Sequence, residues 1–300
     1  MPFPAGAAAS VLGGIGLLYL INNSLNNYAL GNSSRIQWDW CKEIVLITGG
    51  SSGLGELVAR KLAKRSVKVV VVDLRPPKTP LPSNVWFFKM DITSNEDIKH
   101  VGKEIRKQVG DPTVLVNNAG IGYAKTILDS TDDEIRRTFD VNIVAHFFLV
   151  REFLPSMIRT NHGHIVTIAS VASFIAIASN TDYCCTKAAA LTFHEGLGQE
   201  LKYRYNAPNV RTSIIHPTWV RTPLIEPLIQ TGQFTDAVLE PGDVADAIVA
   251  QILGGKSGQV ILPRTLSLLS GARGFPTWLQ HMLRSSQADV LRVAENVERP

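Results

Sequence analysis

The sequence predicts an α/β fold: a doubly wound parallel sheet of about seven strands in one domain, preceded by a hydrophobic segment. Three observations carry this. Short apolar runs alternate with helical patterns through residues 40–263, the rhythm of a parallel sheet covered by helices on both faces. The first apolar run enters a glycine-rich turn, Thr48-Gly-Gly-Ser-Ser-Gly-Leu-Gly55, and a helical pattern follows. The first thirty-four residues contain no Asp, Glu, Lys, Arg or His, which sets them apart from everything after Arg35.

The elements follow in order. Residues 5–21 are apolar except for Ser10, and seventeen helical residues span about 25 Å, the short limit for crossing a bilayer core. No positive region precedes them, which disfavours a cleaved signal peptide. Arg35 and Lys42 follow, and that bias leaves the rest of the chain in the cytosol. Residues 1–35 are therefore expected to anchor the protein to a membrane, spanning it or lying in one leaflet. A buried helix or a disordered leader is the alternative. The sequons at Asn22 and Asn32 stay unused if the segment inserts as a shallow hairpin. Strands are predicted at 44–48, 68–73, 85–90, 113–117, 164–169, 210–215 and 259–262. Helices are predicted at 54–64, 93–109, 132–159, 183–205 and 243–253. The fourth of these strands leads to a capping box, Thr131-Asp-Asp-Glu134, that opens the long third helix.

Composition excludes some classes. Apolar residues are 45% and charged residues 19%, so the chain is globular and not disordered. A net charge of +4, with scattered basic residues, leaves no nucleic-acid footprint. Three cysteines, Cys41 and the vicinal pair Cys184 and Cys185, form no disulfide framework and imply a reducing compartment. The seven histidines show no metal-ligand spacing, so no metal is expected, and His162 and His164 read as solvated turn residues.

The glycine-rich turn points to a dinucleotide. Gly49 permits the tight turn, Gly53 lets the backbone approach a pyrophosphate, and Gly55 lets the helix pack on the strand. Ser51, Ser52 and Leu54 complete the turn. Asp73 ends the second strand eighteen residues past Gly55, where a ribose-binding acid is expected. Its carboxylate repels a 2′-phosphate, and neither Ser51 nor Ser52 is basic, which favours NAD. Arg75 is the counter-argument, so NADP stays open. A second constellation lies at residues 170–187. Tyr183 and Lys187 are four apart and share one helix face, about 40° apart around the axis. A lysine one turn away favours the phenolate and is expected to lower the phenol pKa from about 10. Ser170 lies thirteen residues before Tyr183, at the end of the fifth strand.

Thr48-Gly-x-x-x-Gly-x-Gly55, Asp91, Asn117-Asn118-Ala119-Gly120, Asn142, Ser170 and Tyr183-x-x-x-Lys187 occur in order. In this the chain resembles the short-chain dehydrogenase/reductases, with a Rossmann-type sheet, from about Lys42 to Leu262. The leader and the C-terminal extension make it most similar to the membrane-associated retinol and 17β-hydroxysteroid dehydrogenase branch. The resemblance implies roles. Asp91 and Ile92 would hold the adenine; Asn118, Ala119 and Gly120 would border the cofactor; Val220 and Thr222 would contact the nicotinamide carboxamide. Tyr183 would be the acid/base, Lys187 would hold the nicotinamide ribose, Ser170 would orient the substrate oxygen, and Asn142 would fix a water. Thr218 stands in His216-Pro217-Thr218 where the family has glycine.

Residues 217–241 should form a substrate lid carrying Trp219, Leu224, Ile225, Leu228 and Ile229, and Phe174, Ile175 and Ile177 should line the cleft. A lipophilic alcohol or carbonyl compound, retinoid-, steroid- or long-chain-like, is the expected substrate. Residues 264–300 form a C-terminal extension read as an interfacial helix or a dimer-packing tail, and a homodimer is expected. The expected location is the endoplasmic reticulum or lipid-droplet membrane, with the catalytic domain facing the cytosol. Two alternatives stand beside this reading: an NADPH-dependent biosynthetic ketoreductase, and a non-catalytic NAD-binding protein on the same membranes.

Overall fold

The computed structural model describes residues 5–34 and 36–292, with side chains of the first helix from Gly14 onward, Ile15 and Tyr19 excepted. The chain divides between Gln37 and Trp38 into two compact units.

Among its described residues the N-terminal unit holds one helix, α1 (Ala5–Ala29), followed by turns. It is unbroken through the apolar stretch and on into the Asn-rich one. Twenty-five residues make it about 37 Å long. Leu17, Leu18, Leu20 and Ile21 are all exposed on it, at 47–68%.

The second unit is the predicted α/β domain. Its strands are β1 (Ile44–Thr48), β2 (Lys68–Asp73), β3 (Val85–Lys89), β4 (Val114–Asn117), β5 (Gly163–Ile168), β6 (Val210–Pro217) and β7 (Gly258–Leu262). They form one parallel sheet in the order β3-β2-β1-β4-β5-β6-β7. The helices are α2 (Gly53–Ala63), α3 (Asn95–Gln108), α4 (Asp132–Phe139), α5 (Ala145–Thr160), α6 (Thr181–Tyr203), α7 (Glu226–Gln230), α8 (Pro241–Gly254) and α9 (Thr277–Ser285).

All of β1 is buried, because a parallel strand covered on both faces needs apolar side chains on both. Alternation still sorts them. Leu46, Val70 and Leu115 face a core shared with Ile98, Leu149 and Phe153 of α3 and α5. Val45, Val69 and Val114 face one shared with Val58 of α2 and Ile248 of α8. Each such side chain contributes about 1.5–3 kcal/mol on burial.

Two sequence expectations change here. The long helix at 132–159 is interrupted by a wide turn at Asp140–Val144, in which the N–H of Ala145 reaches back to the carbonyl of Asp140. The run 132–160 is apolar and long enough to cross a membrane by composition, yet 56% of its most apolar window is buried in the domain. It is a core helix. His164 is not solvated, and His162 is only partly so. His164 is fully buried and pairs through Nε2 with Ser213 Oγ at 2.8 Å. His162 lies 3.0 Å from the Glu43 carboxylate, with its ring against Trp38.

Sheet order places the site. From β1 the chain builds outward through β2 and β3, then crosses to β4 on the other side. The loops after β1 and β4 therefore diverge, and a crevice opens at the carboxyl ends of the strands, where ligands bind in such sheets.

Candidate active site

A cavity of about 1010 Å³ fills that crevice, at the upper end of small-molecule sites and large enough for two ligands side by side. Its first half is the turn after β1. Gly49 and Gly53 have φ of +62° and +54°, a region that L side chains avoid. A Cβ on Gly55 would lie 2.5 Å from the Gly49 carbonyl oxygen, so its hydrogen is what lets α2 close onto the turn. Ser52 precedes α2 without capping it through its own hydroxyl. The amides of the first turn thus stay available to an anion, with the helix dipole behind them.

Asp73 fixes the edge of this half. Its carboxylate accepts from the Ser51 N–H at 3.1 Å and from the Arg75 N–H at 3.3 Å, and it lines the cavity. Thr48 and Asn118 tie the two diverging loops together. Thr48 Oγ1 accepts from the N–H groups of Asn118 and Ala119, both at 3.0 Å. Asn118 Nδ2 donates to the Thr48 carbonyl at 2.9 Å. Asp91 braces its own turn by accepting from Thr93 N–H and Oγ1 at 2.9 and 2.7 Å, and with Ile92 it also faces the cavity.

Most of the predicted cofactor positions line this one cavity: Gly49, Ser52, Gly53, Leu54, Asp73, Asp91, Ile92, Asn118, Ala119, Gly120, Val220 and Thr222. Ser51 and Gly55 do not; they stand one layer behind and shape the turn. The open helix end, the glycine cradle and the acid at the end of β2 fit a nicotinamide dinucleotide.

Ser170, Tyr183 and Lys187 line the same cavity. Ser170 extends from the end of β5; its Oγ lies 3.2 Å from the Pro217 carbonyl and accepts from the Ala172 N–H at 3.2 Å. Tyr183 lies in the first turn of α6, with its ring against Gly122, where a Cβ would come within 3.2 Å of it. Lys187 is 3% exposed; its Nζ donates to the Ile168 carbonyl at 3.0 Å and lies 5.4 Å from the Tyr183 ring centroid.

The electrostatics correct the expectation for the phenol. The residue is half-buried at the cavity wall, and its surroundings are dense. Burial pushes Tyr183 up to about 12, against the opposing pull of the Ser170 hydroxyl. Lys187 does not offset this, and burial pushes it down in turn to about 8. Without a ligand the pair is held as a neutral phenol and a readily deprotonated ammonium.

Asn142 stands behind the cavity wall. It sits in the wide turn between α4 and α5 and is fully buried. Its side chain is spent on the loop after β4: Nδ2 donates to the Ile121 carbonyl at 2.9 Å and Oδ1 accepts from the Ile121 N–H at 2.9 Å. Thr186 Oγ1 takes the second Nδ2 bond at 3.1 Å. The amide is a brace for the loop that faces Tyr183 and Lys187, and it does not line the cavity.

The other half of the cavity is apolar. Ile175, Ile177, Trp219, Leu224, Ile225 and Leu228 line it. Phe174, expected there, is turned inward and packs on His216 with ring centroids 4.5 Å apart. Ile229 packs behind the wall. The tail supplies residues that its sequence did not announce. Leu266, Leu269, Leu283 and Leu291 line the cavity, and Leu291, 1% exposed, packs with Ile225 and Leu228 of the lid. The tail thus folds back as a wall of the site, while α9 keeps Trp278 and Met282 in solvent at 68% and 55%. Residues 293–300 lie outside the described residues. Cys41, Cys184 and Cys185 are free thiols.

Comparison with known proteins agrees with this geometry. The sequence profile of the short chain dehydrogenase family matches residues 43–232. Dehydrogenase RED2 of Cochliobolus heterostrophus is 44% identical over 199 residues, 66% of this chain and 74% of its own. Estradiol 17-beta-dehydrogenase 11 of Rattus norvegicus is 34% identical over 265 residues, 85% of each chain. A short chain dehydrogenase from Burkholderia cenocepacia J2315, solved in complex with NADP, superposes with a TM-score of 0.67 at 22% identity, covering 82% of this chain and 98% of its own. 4-Hydroxyisoleucine dehydrogenase complexed with NADH gives 0.62 at 24% identity, over 73% and 96%. The two superpositions establish the fold, and the profile with the sequence relatives establishes the lineage: the chain belongs to the short-chain dehydrogenase/reductase family and is an NAD(P)-dependent oxidoreductase.

Proposed function

We propose that the protein interconverts a lipophilic alcohol and its carbonyl form, with Tyr183 as the acid/base. The observation that carries this is the shared cavity: Ser170, Tyr183 and Lys187 sit where a dinucleotide cradle meets an apolar chamber closed by the lid and the tail. When bound, the nicotinamide supplies or takes up the hydride. In the reducing direction the Tyr183 hydroxyl donates its proton to the substrate oxygen, which a phenol held protonated at neutral pH is suited to do. Ser170 Oγ orients that oxygen. Lys187 holds the ribose side of the cleft and faces the phenol across 5.4 Å. Asn142 keeps Ile121 fixed, and with it the loop opposite the reacting groups.

NAD is the proposed cofactor. Asp73 presents a carboxylate anchored by two backbone N–H groups where the adenosine ribose would lie, and like charge there opposes a 2′-phosphate. Arg75 turns out to solvent. Steady-state rates with NADH and NADPH test this. NADH should be favoured about tenfold or more in kcat/KM, since like-charge contacts exceed the 1.4 kcal/mol that a tenfold ratio represents. Asp73→Ser should narrow the ratio, and equal or faster turnover with NADPH in the wild type would refute the assignment. The substrate class is found with a panel of retinols, steroids and long-chain secondary alcohols.

The protein is further proposed to sit on the endoplasmic reticulum or lipid-droplet membrane, catalytic domain toward the cytosol. The support is the charge-free leader and the solvent-exposed leucines along α1. Alkaline carbonate extraction should leave the full chain in the membrane pellet and release a chain beginning at Gln37. Release of both would exclude the anchor.

A further inference from the structure

A buried histidine with no part in the proton transfer sits directly behind Ser170. His216, near the end of β6, is 0% exposed. Its Nδ1 is 3.0 Å from the main-chain oxygen of Ser170, and its Nε2 is 3.1 Å from Nε2 of Gln259 on β7. A carbonyl oxygen only accepts, so Nδ1 carries the proton. Burial, reinforced by the nearby Lys187 charge, holds the ring down to about 4 against the opposing pull of the Ser170 carbonyl. Nε2 therefore keeps its lone pair and accepts from the Gln259 amide. Each ring nitrogen is assigned by its partner, and Phe174 holds the ring plane from the side.

Ser170 needs such a hold. The β5–β6 ladder ends with the Ala169 N–H donating to the Ile215 carbonyl at 2.8 Å. Ser170 is the first residue beyond it and the hinge into a single turn at Val171–Ser173. Its carbonyl accepts from the Ser173 N–H at 2.9 Å and from His216. Its hydroxyl reaches the carbonyl of Pro217, the next residue after His216. Consecutive residues of β6 thus grip the main chain and the side chain of Ser170.

We infer that His216 is a positioning residue for Ser170, with Gln259 selecting the tautomer that lets it act. This rests on the reading of Ser170 as the group that orients the substrate oxygen. The experiment separates the two by measuring kcat, KM and NADH affinity for Ser170→Ala, His216→Leu, His216→Asn and the double variant of Ser170→Ala with His216→Leu. His216→Leu should lower kcat about tenfold to a hundredfold, the effect of removing one partner of a buried hydrogen bond. NADH affinity should be unchanged. In His216→Asn the Nδ2–H group takes the place of the ring Nδ1–H, and kcat should return to within about threefold of wild type. The pH profile of kcat/KM should keep its wild-type shape in both, because the ring exchanges no proton in the reaction. The double variant should be no slower than Ser170→Ala alone, since His216 acts through that residue.

Wild-type kcat in His216→Leu, or losses that multiply in the double variant, would overturn the inference. Wild-type kcat in Ser170→Ala would instead overturn the reading of Ser170. Should His216→Leu not fold, Gln259→Leu carries the test, because Gln259 is an exposed residue whose amide alone reaches in to the ring. It should lose about two- to fivefold in kcat, the effect of a hydrogen bond at a partly exposed site, and lose nothing further in the Ser170→Ala background. Wild-type kcat in Gln259→Leu would then count against the inference.

Discussion

Tyr183→Phe should lose about a thousandfold or more in kcat, within the range of general acid–base contributions, and should bind NADH as tightly as the wild type. The ring keeps its place against Gly122 when the hydroxyl is gone, so the change removes a proton donor and little packing. The loss should be large because no second group can substitute. Among the residues beside the phenol, Lys187 is turned to the Ile168 carbonyl, and Ser170 is an aliphatic hydroxyl, far too weak an acid to replace a phenol. Steady-state rates and a fluorescence titration of NADH check both halves. Turnover at the wild-type rate would exclude Tyr183 as the acid/base. The substitution should also alter alkaline stability. A phenol raised to about 12 in the folded protein, against about 10 unfolded, gives stability that is complete below pH 10 and lost as pH rises from 10 through 12. Tyr183→Phe should lack that decline.

Lys187→Met should be inactive and yet more stable than the wild type at pH 7. Lys187 is 3% exposed, and burial alone takes it down to about 8, against about 10.4 in an unfolded chain. Holding it charged at neutral pH therefore costs about 3 kcal/mol by linkage, as an order of magnitude. Methionine fills similar space without that penalty. It forfeits the bond to the Ile168 carbonyl, which returns about 1–2 kcal/mol of the gain. A net increase of about 1–2 kcal/mol at pH 7 is expected for the cofactor-free protein. The sign with pH follows from the depressed folded value. Between pH 8 and 10.4 the unfolded chain binds the extra proton, so wild-type stability rises across that window and the gap to the variant closes. Urea unfolding at pH 7 and pH 10 reads this directly. A variant less stable at pH 7, or a gap that does not shrink by pH 10, would show that burial is not what depresses Lys187. Activity at the expense of stability is common at functional sites.

Some residues were legible from the chain and others were not, for identifiable reasons. Gly49, Gly53 and Gly55 could be read because a turn that must adopt positive φ and accept a helix at close range leaves few residue types open. The strands could be read because a doubly covered strand is apolar throughout. Asn142 was found in the right place, but its partner Ile121 offers only backbone groups, which no residue type announces. Phe174 was assigned to the substrate because it neighbours Ile175 and Ile177; in an irregular turn successive side chains need not share a side, and His216 takes the ring inward. His164 reads as a turn residue until the sheet brings Ser213 of the neighbouring strand within reach of its ring.

The sequence by itself determined the sheet, its parallel sense and the set of groups gathered at its carboxyl edge. Apolar periodicity, turn chemistry and motif spacing are local, and they survive in one dimension. Tertiary structure alone decided three things about the stretch from Ser170 to Lys187. It set the phenol high instead of low, because desolvation depends on everything packed around Tyr183 and outweighs one lysine four residues away. It closed the apolar chamber with Leu291, more than one hundred residues beyond Tyr183 in the chain. It put His216 and Gln259 behind Ser170, since strands far apart in sequence become neighbours only when the sheet forms.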